Sequence, residues 1–440
     1  MFLNCSSFSH DKTIMKKIIQ QLITRKAKNL LAKHKPLVIA VTGSVGKTSV
    51  RNAIATVLSA KFRVRETTKN YNNEFGVPLT ILGVKSPGKS VIGWLKVLLM
   101  KPRDVPQVFV LEYAIDHPGD MSHLCDIATP SISVLTRLSS VHAEFFASVQ
   151  ALAEEKAGLL ARTAKDGLCV LDADDSLVMG VSGHASAPIL KYGFAQTADV
   201  QATSYSLTTR EDFSFEPGER FCTATVSVKA QDGDVLDLEL VNVLGKASVS
   251  SFLPAIAIAK HLGLSHEQIL SKIPEIRLEP GRMNPIPGIK GSLILDASYN
   301  AAPASMAAAL DVLAAFTPAS GARRIAVLGS MTELGALSEQ EHRMLGMRAQ
   351  EAGVDLLVTV GELSRDTRRG AIEAGVVEAQ TQHFDSSKDA GRWLDAQIHK
   401  GDVILVKGSQ AIRMERVVKD VMAQPLRATE LLCRQDGGWV

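Results

Sequence analysis

The residues best suited to chemistry form a short glycine-rich segment, Gly43-Ser44-Val45-Gly46-Lys47-Thr48-Ser49. It follows the apolar run Leu37–Val41 and precedes a helix-like pattern, so it predicts a turn between a buried strand and a helix N-terminus. Backbone N–H groups point outward at such a turn and the helix dipole favours anions, so a phosphate fits there. We expect Lys47 to reach the terminal phosphates of a nucleotide and Thr48 to hold Mg²⁺ through its hydroxyl. Because Val41 replaces the first glycine of the usual pattern, an ordinary strand-to-helix turn is the alternative.

Three further positions carry groups that suit a metal site beside a phosphate. Glu112 ends the apolar run Val108–Leu111, and carboxylates at the C-terminal edge of a parallel strand commonly hold Mg²⁺. His142 follows the run Ile132–Thr136, and a neutral imidazole can ligate a metal. Lys156 lies in a helical stretch beside two acids. Taken singly, Glu112 is equally well explained as a surface acid, whereas His142 is better explained as a structural histidine and Lys156 as a solvated ion pair.

The composition narrows the class of protein. A chain of 440 residues is long enough for about two or three domains and a sizeable core. Its net charge of +3 gives no strong attraction to nucleic acid or membrane. The five cysteines are scattered without a Cys-x-x-Cys pair, which argues against a zinc ribbon or a disulfide framework and favours a reducing cytoplasm. No apolar run is long enough to cross a bilayer.

The spacing of apolar residues predicts an α/β protein with two sheet-forming units. Residues 36–165 alternate strand-like runs with helical patterns, which favours a parallel sheet with helices on both faces. Residues 198–245 instead alternate residue by residue, as in a small antiparallel insert. We therefore predict an N-terminal basic helix over 1–35, a P-loop ATP-binding domain with the antiparallel insert over 36–279, a Rossmann-like C-terminal α/β domain over 280–425 and a tail over 426–440.

Two basic, apolar segments raise the question of a membrane. Residues 14–35 place isoleucines and leucines among lysines in an amphipathic pattern, so a helix on a membrane surface is one interpretation. We favour a helix that packs on the next domain and leaves its basic face in water. The shorter segment 91–100 is likewise predicted to be a packed surface helix.

Motifs in both halves of the chain can be compared as a set with known families. Besides the glycine-rich segment and Val110-Leu-Glu112, they are Asn70-Tyr-Asn-Asn-Glu-Phe-Gly-Val-Pro-Leu-Thr80, His117-Pro-Gly119, His142-Ala-Glu144, Lys156, Gly281-Arg-Met283, Asp296-Ala-Ser-Tyr-Asn300, Val327-Leu-Gly-Ser-Met-Thr-Glu-Leu-Gly335 and Val406-Lys-Gly-Ser409. In order and spacing this set resembles the Mur ligase family, over about residues 36–422.

The resemblance implies an ATP-dependent amide-bond ligase of the EC 6.3.2 type. In such enzymes a substrate carboxylate attacks the γ-phosphate of ATP, and an amine then displaces phosphate from the acyl phosphate. The members most similar to this chain add D-alanyl-D-alanine to a UDP-muramoyl-tripeptide in peptidoglycan precursor synthesis. Small-molecule substrates, no nucleic acid, a monomer and a cytoplasmic location are the corresponding expectations.

The resemblance also implies roles for individual residues. Thr48 and Glu112 would hold one Mg²⁺ and His142 a second, while Lys156 falls where the family carries a carbamylated lysine that serves the metal site. Lys47, Glu112, His142 and Lys156 would form the catalytic group. Further contacts are implied for ATP at Gly43, Ser44, Val45, Gly46, Lys47, Thr48, Ser49, Arg282, Asp296 (ribose or hinge) and Asn300, and for the substrates at Asn70, Asn72, Asn73, Lys407 and Ser409.

The chain departs from the family pattern near the adenine and amine sites. Gly245-Lys-Ala-Ser248 replaces a Gly-x-His-Asn motif, Ser251 replaces an asparagine and Ala302 lacks an expected amide. In addition, about 35 residues precede the first strand, whereas the family's UDP-binding domain takes on the order of a hundred. We therefore expect the UDP group to be held differently, or the substrate not to be UDP-linked.

Two alternatives remain at this stage. One is a Mur-type ligase that acts on another carboxylate, such as a lipid-linked muropeptide, a folate-type polyglutamate or an amino-acid polymer. The other is a non-catalytic nucleotide-binding protein on the same fold.

Overall fold

Two β-sheets organise the protein, which we describe from a computed structural model. The described residues are 7–68, 71–88, 90–101, 104–138, 146, 148–210 and 219–435, with side chains from residue 16 onward. The α/β class predicted from the sequence is confirmed.

The first sheet has nine strands in the order β2-β3-β1-β4-β5-β6-β7-β8-β9. Its strands are parallel from β2 to β7 and antiparallel from β7 to β9, so the antiparallel segment extends the same sheet. The strands are β1 Leu37–Thr42, β2 Val64–Glu66, β3 Val108–Glu112, β4 Ile132–Leu135, β5 Leu168–Asp172, β6 Ile189–Gly193, β7 Val200–Thr209, β8 Cys222–Lys229 and β9 Val235–Val241.

The second sheet has six strands in the order β10-β11-β15-β12-β13-β14. All neighbours are parallel except β10, which pairs antiparallel with β11 at the sheet edge. The strands are β10 Asn284–Pro287, β11 Leu293–Ala297, β12 Arg324–Gly329, β13 Leu356–Val360, β14 Thr381–Phe384 and β15 Val403–Lys407.

Helices cover both faces of the two sheets. Their amphipathic faces explain why the strands between them are buried on both sides and carry apolar runs. The helices are α1 Ser7–His34, α2 Lys47–Leu58, α3 Gly76–Leu82, α4 Val91–Leu99, α5 Asp120–Ile127, α6 Val149–Ala161, α7 Ser176–Gly180, α8 Gly245–Ser250, α9 Leu253–His261, α10 His266–Lys272, α11 Pro303–Ala314, α12 Ser338–Glu351, α13 Arg365–Glu373, α14 Ser387–Gln397, α15 Glu415–Val421 and α16 Ala428–Leu431.

The burial of the strands follows their surroundings. In β1, five of the six residues are buried because helices lie on both faces. In β9, buried and exposed residues alternate because one face of the antiparallel segment meets water. The same difference made the parallel and antiparallel parts distinguishable in the sequence.

The long helix α1 packs against the first sheet's helical layer through Ile23, Ala27 and Leu30. It contacts both α3 and α4. None of the helices in the described part of the chain combines the length and apolar content that a membrane crossing requires.

Candidate functional site

A large cleft lies between the carboxyl edges of the two sheets. Its volume is about 1100 Å³, and its walls come from the glycine-rich segment, from Glu112 at the end of β3, and from loops that follow β11 and β15. Strands β1 and β3 are parallel neighbours, as are β11 and β15, so each sheet delivers two strand ends to the same cleft. Ligands of open α/β sheets bind at such edges.

The turn between β1 and α2 has the conformation that a phosphate cradle needs. Gly43 has φ 148°, and a Cβ atom there would lie 2.0 Å from Thr136 Oγ1, so only glycine fits. Gly46, at φ 88°, immediately precedes α2. The N–H groups of the first helical turn, from Lys47 onward, have no intrahelical acceptor and are therefore directed toward an anion in the cleft.

Lys47 lies over this turn. Its ammonium donates hydrogen bonds to the carbonyl oxygens of Gly43 at 2.9 Å and Ser44 at 3.2 Å. Burial lowers the pKa of Lys47, the Glu112 carboxylate opposes that shift, and the Arg282 guanidinium adds to it. The lysine therefore sits between a carboxylate on its own sheet and a cation from the other sheet.

Glu112 is the centre of a polar network. Its carboxylate is 3% exposed and accepts hydrogen bonds from the Thr48 hydroxyl at 3.0 Å and from the Asn72 amide at 3.1 Å. Arg51, one turn after Lys47 on α2, approaches the same carboxylate at 3.3 Å and also pairs with Glu66 at 2.9 Å. A hydroxyl and a carboxylate in contact offer the oxygen ligands that Mg²⁺ prefers.

Lys156 is buried in α6, with 2% of its surface exposed. Within the described residues its ammonium has no hydrogen-bond partner, so the position does not fit the solvated ion pair considered above. Burial, and after it the charge of Lys47, lower the pKa of Lys156 to about 7. The neutral amine is therefore much more accessible near pH 7 than in an exposed lysine.

The second sheet contributes two more cations to the cleft. The Arg282 guanidinium lies 4.3 Å from the centre of the Tyr299 ring, and its Nε is buried without a hydrogen-bond partner. The Lys407 ammonium donates to the Asn300 carbonyl at 2.8 Å. Burial lowers the pKa of Lys407 to about 8, with repulsion by Arg282 as the next cause. Arg282 thus interacts with lysines on both sides of the cleft, which makes a positive cluster suited to a polyphosphate.

Among the described residues predicted for the site, Gly43, Lys156, Asp296, Asn73 and Ser409 are not part of the cleft lining, and the side chains of the last three bond to backbone N–H groups instead. Asp296 is fully buried, its carboxylate accepts the Ser298 N–H at 3.0 Å, and burial raises its pKa to about 6. The Asn73 side chain accepts the Gly76 N–H at 2.9 Å, at the start of α3. The Ser409 hydroxyl accepts the Thr332 N–H at 2.9 Å. Their proposed contacts with nucleotide or substrate stay predictions.

Two predicted site residues, Asn70 and His142, fall outside the described part of the chain. Within the part that is described, no group of three or more His, Cys, Asp or Glu side chains is placed to hold a metal.

The residues that depart from the family pattern do line the cleft. Ala247, Ser248, Ser251 and Ala302 all contribute to its wall. These departures therefore change the surface that a bound nucleotide or substrate would meet.

Sequence reasoning missed one residue that supports the site, Arg434. Its guanidinium donates hydrogen bonds to the carbonyl oxygens of Ser298 at 2.7 Å and Tyr299 at 2.8 Å, and it pairs with the Glu415 carboxylate at 2.7 Å. It also lies 5.7 Å from the centre of the Tyr299 ring, the same ring that Arg282 covers. The tail around Arg434 has no sequence pattern, so nothing in it signals this contact.

Comparison with known proteins agrees with this geometry. The Mur ligase middle domain matches residues 41–259, and the domain described as "Mur ligase, glutamate ligase domain" matches residues 281–410. A UDP-N-acetylmuramoyl-tripeptide–D-alanyl-D-alanine ligase from Synechocystis is 32% identical, over 88% of this chain and 75% of the relative. The chain belongs to the Mur ligase family.

Other members of this family are similar to the chain over most of its length. The ligase of the same name from Bacillus subtilis is 28% identical, over 93% of this chain and 80% of its own length. The crystal structure of MurF ligase from Thermotoga maritima in complex with ADP superposes with a TM-score of 0.72 at 24% identity, covering 91% of this chain and 83% of that one. That likeness supports the two-sheet Mur ligase fold.

Proposed function

We propose that this protein is an ATP-dependent ligase that joins D-alanyl-D-alanine to the free carboxylate of a UDP-muramoyl-tripeptide in peptidoglycan precursor synthesis. The names of the relatives supply the substrate pair. The observation in this chain that carries the proposal is the cleft itself, where Lys47, Arg282 and Lys407 gather positive charge beside the Thr48–Glu112 pair. This arrangement suits phosphoryl transfer, in which positioning and charge neutralisation dominate.

The residues of the cleft have distinct tasks in this reaction. Lys47 and Arg282 attract the triphosphate and reduce its repulsion of the incoming carboxylate. A carboxylate oxygen bonds to the γ-phosphorus as the bond to ADP breaks, which forms an acyl phosphate. The amine nitrogen then attacks the acyl carbon, loses its proton, and phosphate leaves.

Magnesium fits one position in this cleft. The contact between the Thr48 hydroxyl and the Glu112 carboxylate at 3.0 Å places two oxygen ligands side by side. Thr48 and Glu112 would hold the ion, and Asn72 would orient the carboxylate through its amide. Bound there, Mg²⁺ would neutralise charge on the phosphates. A second ion held by His142 remains part of the proposal.

We also propose that Lys156 is carbamylated. Its pKa of about 7 leaves a reactive neutral amine, and its burial near Lys47 provides a cation that favours the product. The amine nitrogen adds to CO₂ and releases one proton, so an ammonium site becomes an anion. Because only the neutral amine reacts, carbamate occupancy should rise as the pH increases through about 7.

Nuclear magnetic resonance with ¹³C-bicarbonate tests the carbamate without measuring activity. We expect a carbamate signal in the wild type that grows between about pH 6 and about pH 8 and is absent in Lys156→Ala. We further expect Lys156→Ala to lose ligase activity and to regain part of it with added formate or acetate. A signal that persists in Lys156→Ala would refute the assignment.

A ligase assay tests the main proposal. Purified protein is given UDP-muramoyl-tripeptide, D-alanyl-D-alanine, ATP and Mg²⁺, and both phosphate release and the amide product are measured. We expect both only when all four components are present. If phosphate is released only with a different acceptor, such as a lipid-linked muropeptide, the protein is still a ligase but the proposed acceptor is wrong. If the protein does not bind ATP, both the ligase activity and the proposed acceptor are wrong.

The proposal includes a monomer in the cytoplasm. Cys125, Cys169, Cys222 and Cys433 are buried free thiols, which suits a reducing compartment that also supplies ATP. Light scattering after gel filtration should give the mass of one chain.

A further inference from the structure

Helix α4 exposes a continuous apolar stripe. Val91, Ile92, Leu95 and Leu99 are each between 54% and 74% exposed. Their spacing places them on one side of the helix, because residues three, four and seven apart share a face. Large apolar side chains scattered singly are ordinary on a surface, whereas a contiguous group marks an interaction site.

The opposite side of α4 is firmly held. Val97 is buried, and the Trp94 ring packs edge-on against Phe75 with 6.4 Å between ring centres. Lys26 of α1 donates to the carbonyl oxygens of Val97 at 2.8 Å and Leu98 at 2.7 Å, at the C-terminal end of α4. The stripe is therefore presented by an anchored helix.

The chain around this stripe is rich in positive charge. Residues 12–35, which form all but the first turn of α1, and residues 75–103, which contain α4, hold thirteen of the chain's 49 lysines and arginines and none of its 46 acids; the first turn of α1 adds Asp11. The rest of the chain consequently has more acidic than basic residues, although the whole carries +3. The exposed cations of these segments include Lys85, Lys96 and Lys101 around α4 and Lys17, Arg25 and Lys28 on α1, which contacts α4.

Helix α1 adds to the same chemistry. Ile18 and Leu22, one turn apart, are also exposed and lie on the helix that contacts α4. The buried side of α1 packs on the protein, as the sequence predicted. Its exposed side can therefore present apolar and basic side chains while the helix stays packed.

We propose that the α1–α4 face, defined as α4 with the exposed side of residues 16–28, binds the surface of an anionic lipid bilayer. The four apolar side chains of α4 insert at the level of the headgroups, and the lysines and arginines approach lipid phosphates. An apolar stripe flanked by lysines is the pattern of helices that lie in the membrane interface. The charge pattern favours this occupant over a second copy of the chain, because two such faces would repel each other.

Vesicle sedimentation tests this proposal. The full chain is mixed with vesicles of phosphatidylcholine alone or of phosphatidylcholine with phosphatidylglycerol, without nucleotide or substrate. We expect binding to the anionic vesicles, little binding to the neutral ones, and loss of binding when salt rises from about 50 mM to about 500 mM. Absence of binding to anionic vesicles at the lower salt would refute the proposal.

Charged substitutions identify the surface. The double substitution Leu95→Glu with Leu99→Glu should lower the apparent vesicle affinity at least about tenfold. The matched control is Leu426→Glu, at a 97% exposed leucine elsewhere, which should bind as the wild type does. Because all three positions are exposed, the folded state should persist, and circular dichroism checks this. Unchanged binding by the double variant would overturn the assignment.

Two further measurements separate the competing explanations. If gel filtration with light scattering shows a dimer that the double variant disperses, and vesicles are not bound, a second copy covers this face and the lipid proposal is wrong. Ligase turnover without vesicles should be the same in the double variant, because α4 contributes nothing to the cleft lining. Failure of the ligase proposal would leave the vesicle result unaffected.

Discussion

The two sides of the cleft are built in different ways. On the side of the first sheet, Glu112 ends β3, and Lys47 and Thr48 begin α2 after the short turn that follows the neighbouring strand β1, so all three line the cleft directly. On the side of the second sheet, Arg282 depends on the Tyr299 ring, which Arg434 holds from the far end of the chain. The charged groups of the first side are thus positioned by residues close to them in sequence, whereas Arg282 on the second side is positioned by contacts with a distant part of the chain.

This difference explains which substitutions should matter most. Removing a charge from the first side takes away a group that acts on phosphate or metal. Removing a supporting side chain on the second side, such as Arg434, changes the position of Arg282 but does not remove its charge. We therefore expect effects on activity to fall from the first side to the second.

The largest effect is expected for Lys47→Ala. Loss of the cation at the phosphate turn should lower phosphate release by about a thousandfold, because fixed charges aimed at the reacting group dominate such reactions. Steady-state phosphate release at saturating ATP measures it. The exposed Lys229→Ala on β8 is the matched control and should keep wild-type activity. Turnover unchanged in Lys47→Ala would remove the ligase interpretation.

Glu112→Gln should have the next largest effect. The substitution keeps the shape of the side chain but removes the carboxylate next to Thr48, so the Mg²⁺ concentration for half-maximal activity should rise about a hundredfold. A magnesium titration of phosphate release measures this. Glu66→Gln is the control, since Glu66 also pairs with Arg51 but stands outside the cleft lining. Equal shifts in both variants would show that Arg51, and not the metal, explains the result.

Arg434→Met tests the support on the second side. The variant loses contacts to Ser298 and Tyr299 and leaves the buried Glu415 with fewer partners, which should lower the free energy of unfolding by about 3 kcal/mol. We expect kcat/KM for ATP to fall about tenfold because Arg282 is less well positioned. Denaturant unfolding and steady-state kinetics measure the two quantities.

The control for this variant is Arg427→Met. Arg427 lies in the same tail, but its pair with Glu430 is exposed and contributes little to stability. If Arg434→Met unfolds more easily yet keeps its kcat/KM for ATP, the tail stabilises the domain without positioning Arg282.

The smallest effect on activity is expected for Ser409→Ala. Its hydroxyl accepts the Thr332 N–H in a partly buried hydrogen bond, so its loss should cost about 1 kcal/mol of unfolding free energy. We expect kcat/KM for the amine substrate to change less than about threefold. A larger rise in KM for the amine would instead support the direct substrate contact that the sequence suggested.

Local patterns predicted which residues face the first side of the cleft. Glu112 ends one apolar run and Thr48 follows the turn after another, and parallel strands end at one edge of a sheet. Their direct contact was implied only by the family resemblance, because neither run shows that β3 lies next to β1. The small antiparallel segment was also predictable from its alternation. Its position as an extension of the same sheet was not, because pairing between β6 and β7 leaves no mark in either strand.

The second side shows why residue type alone is insufficient. Asp296 and Ser409 have groups suited to ligand binding, but both are buried and bonded to backbone N–H groups. Burial depends on which helices cover a strand end, and that is settled by packing across the domain. Similarly, α4 is apolar around its circumference, so the sequence could not show which side remains uncovered.

The division of positive charge between the two sheets has a consequence for the end of each reaction cycle. Cations that attract a nucleotide attract the phosphate left behind as well. Lys47 lies on the side of one sheet, and Arg282 and Lys407 lie on the side of the other. A rotation that separates the sheets would therefore weaken the electrostatic attraction that holds the product phosphate. Opening the molecule would therefore release product without any side chain having to gain or lose a proton.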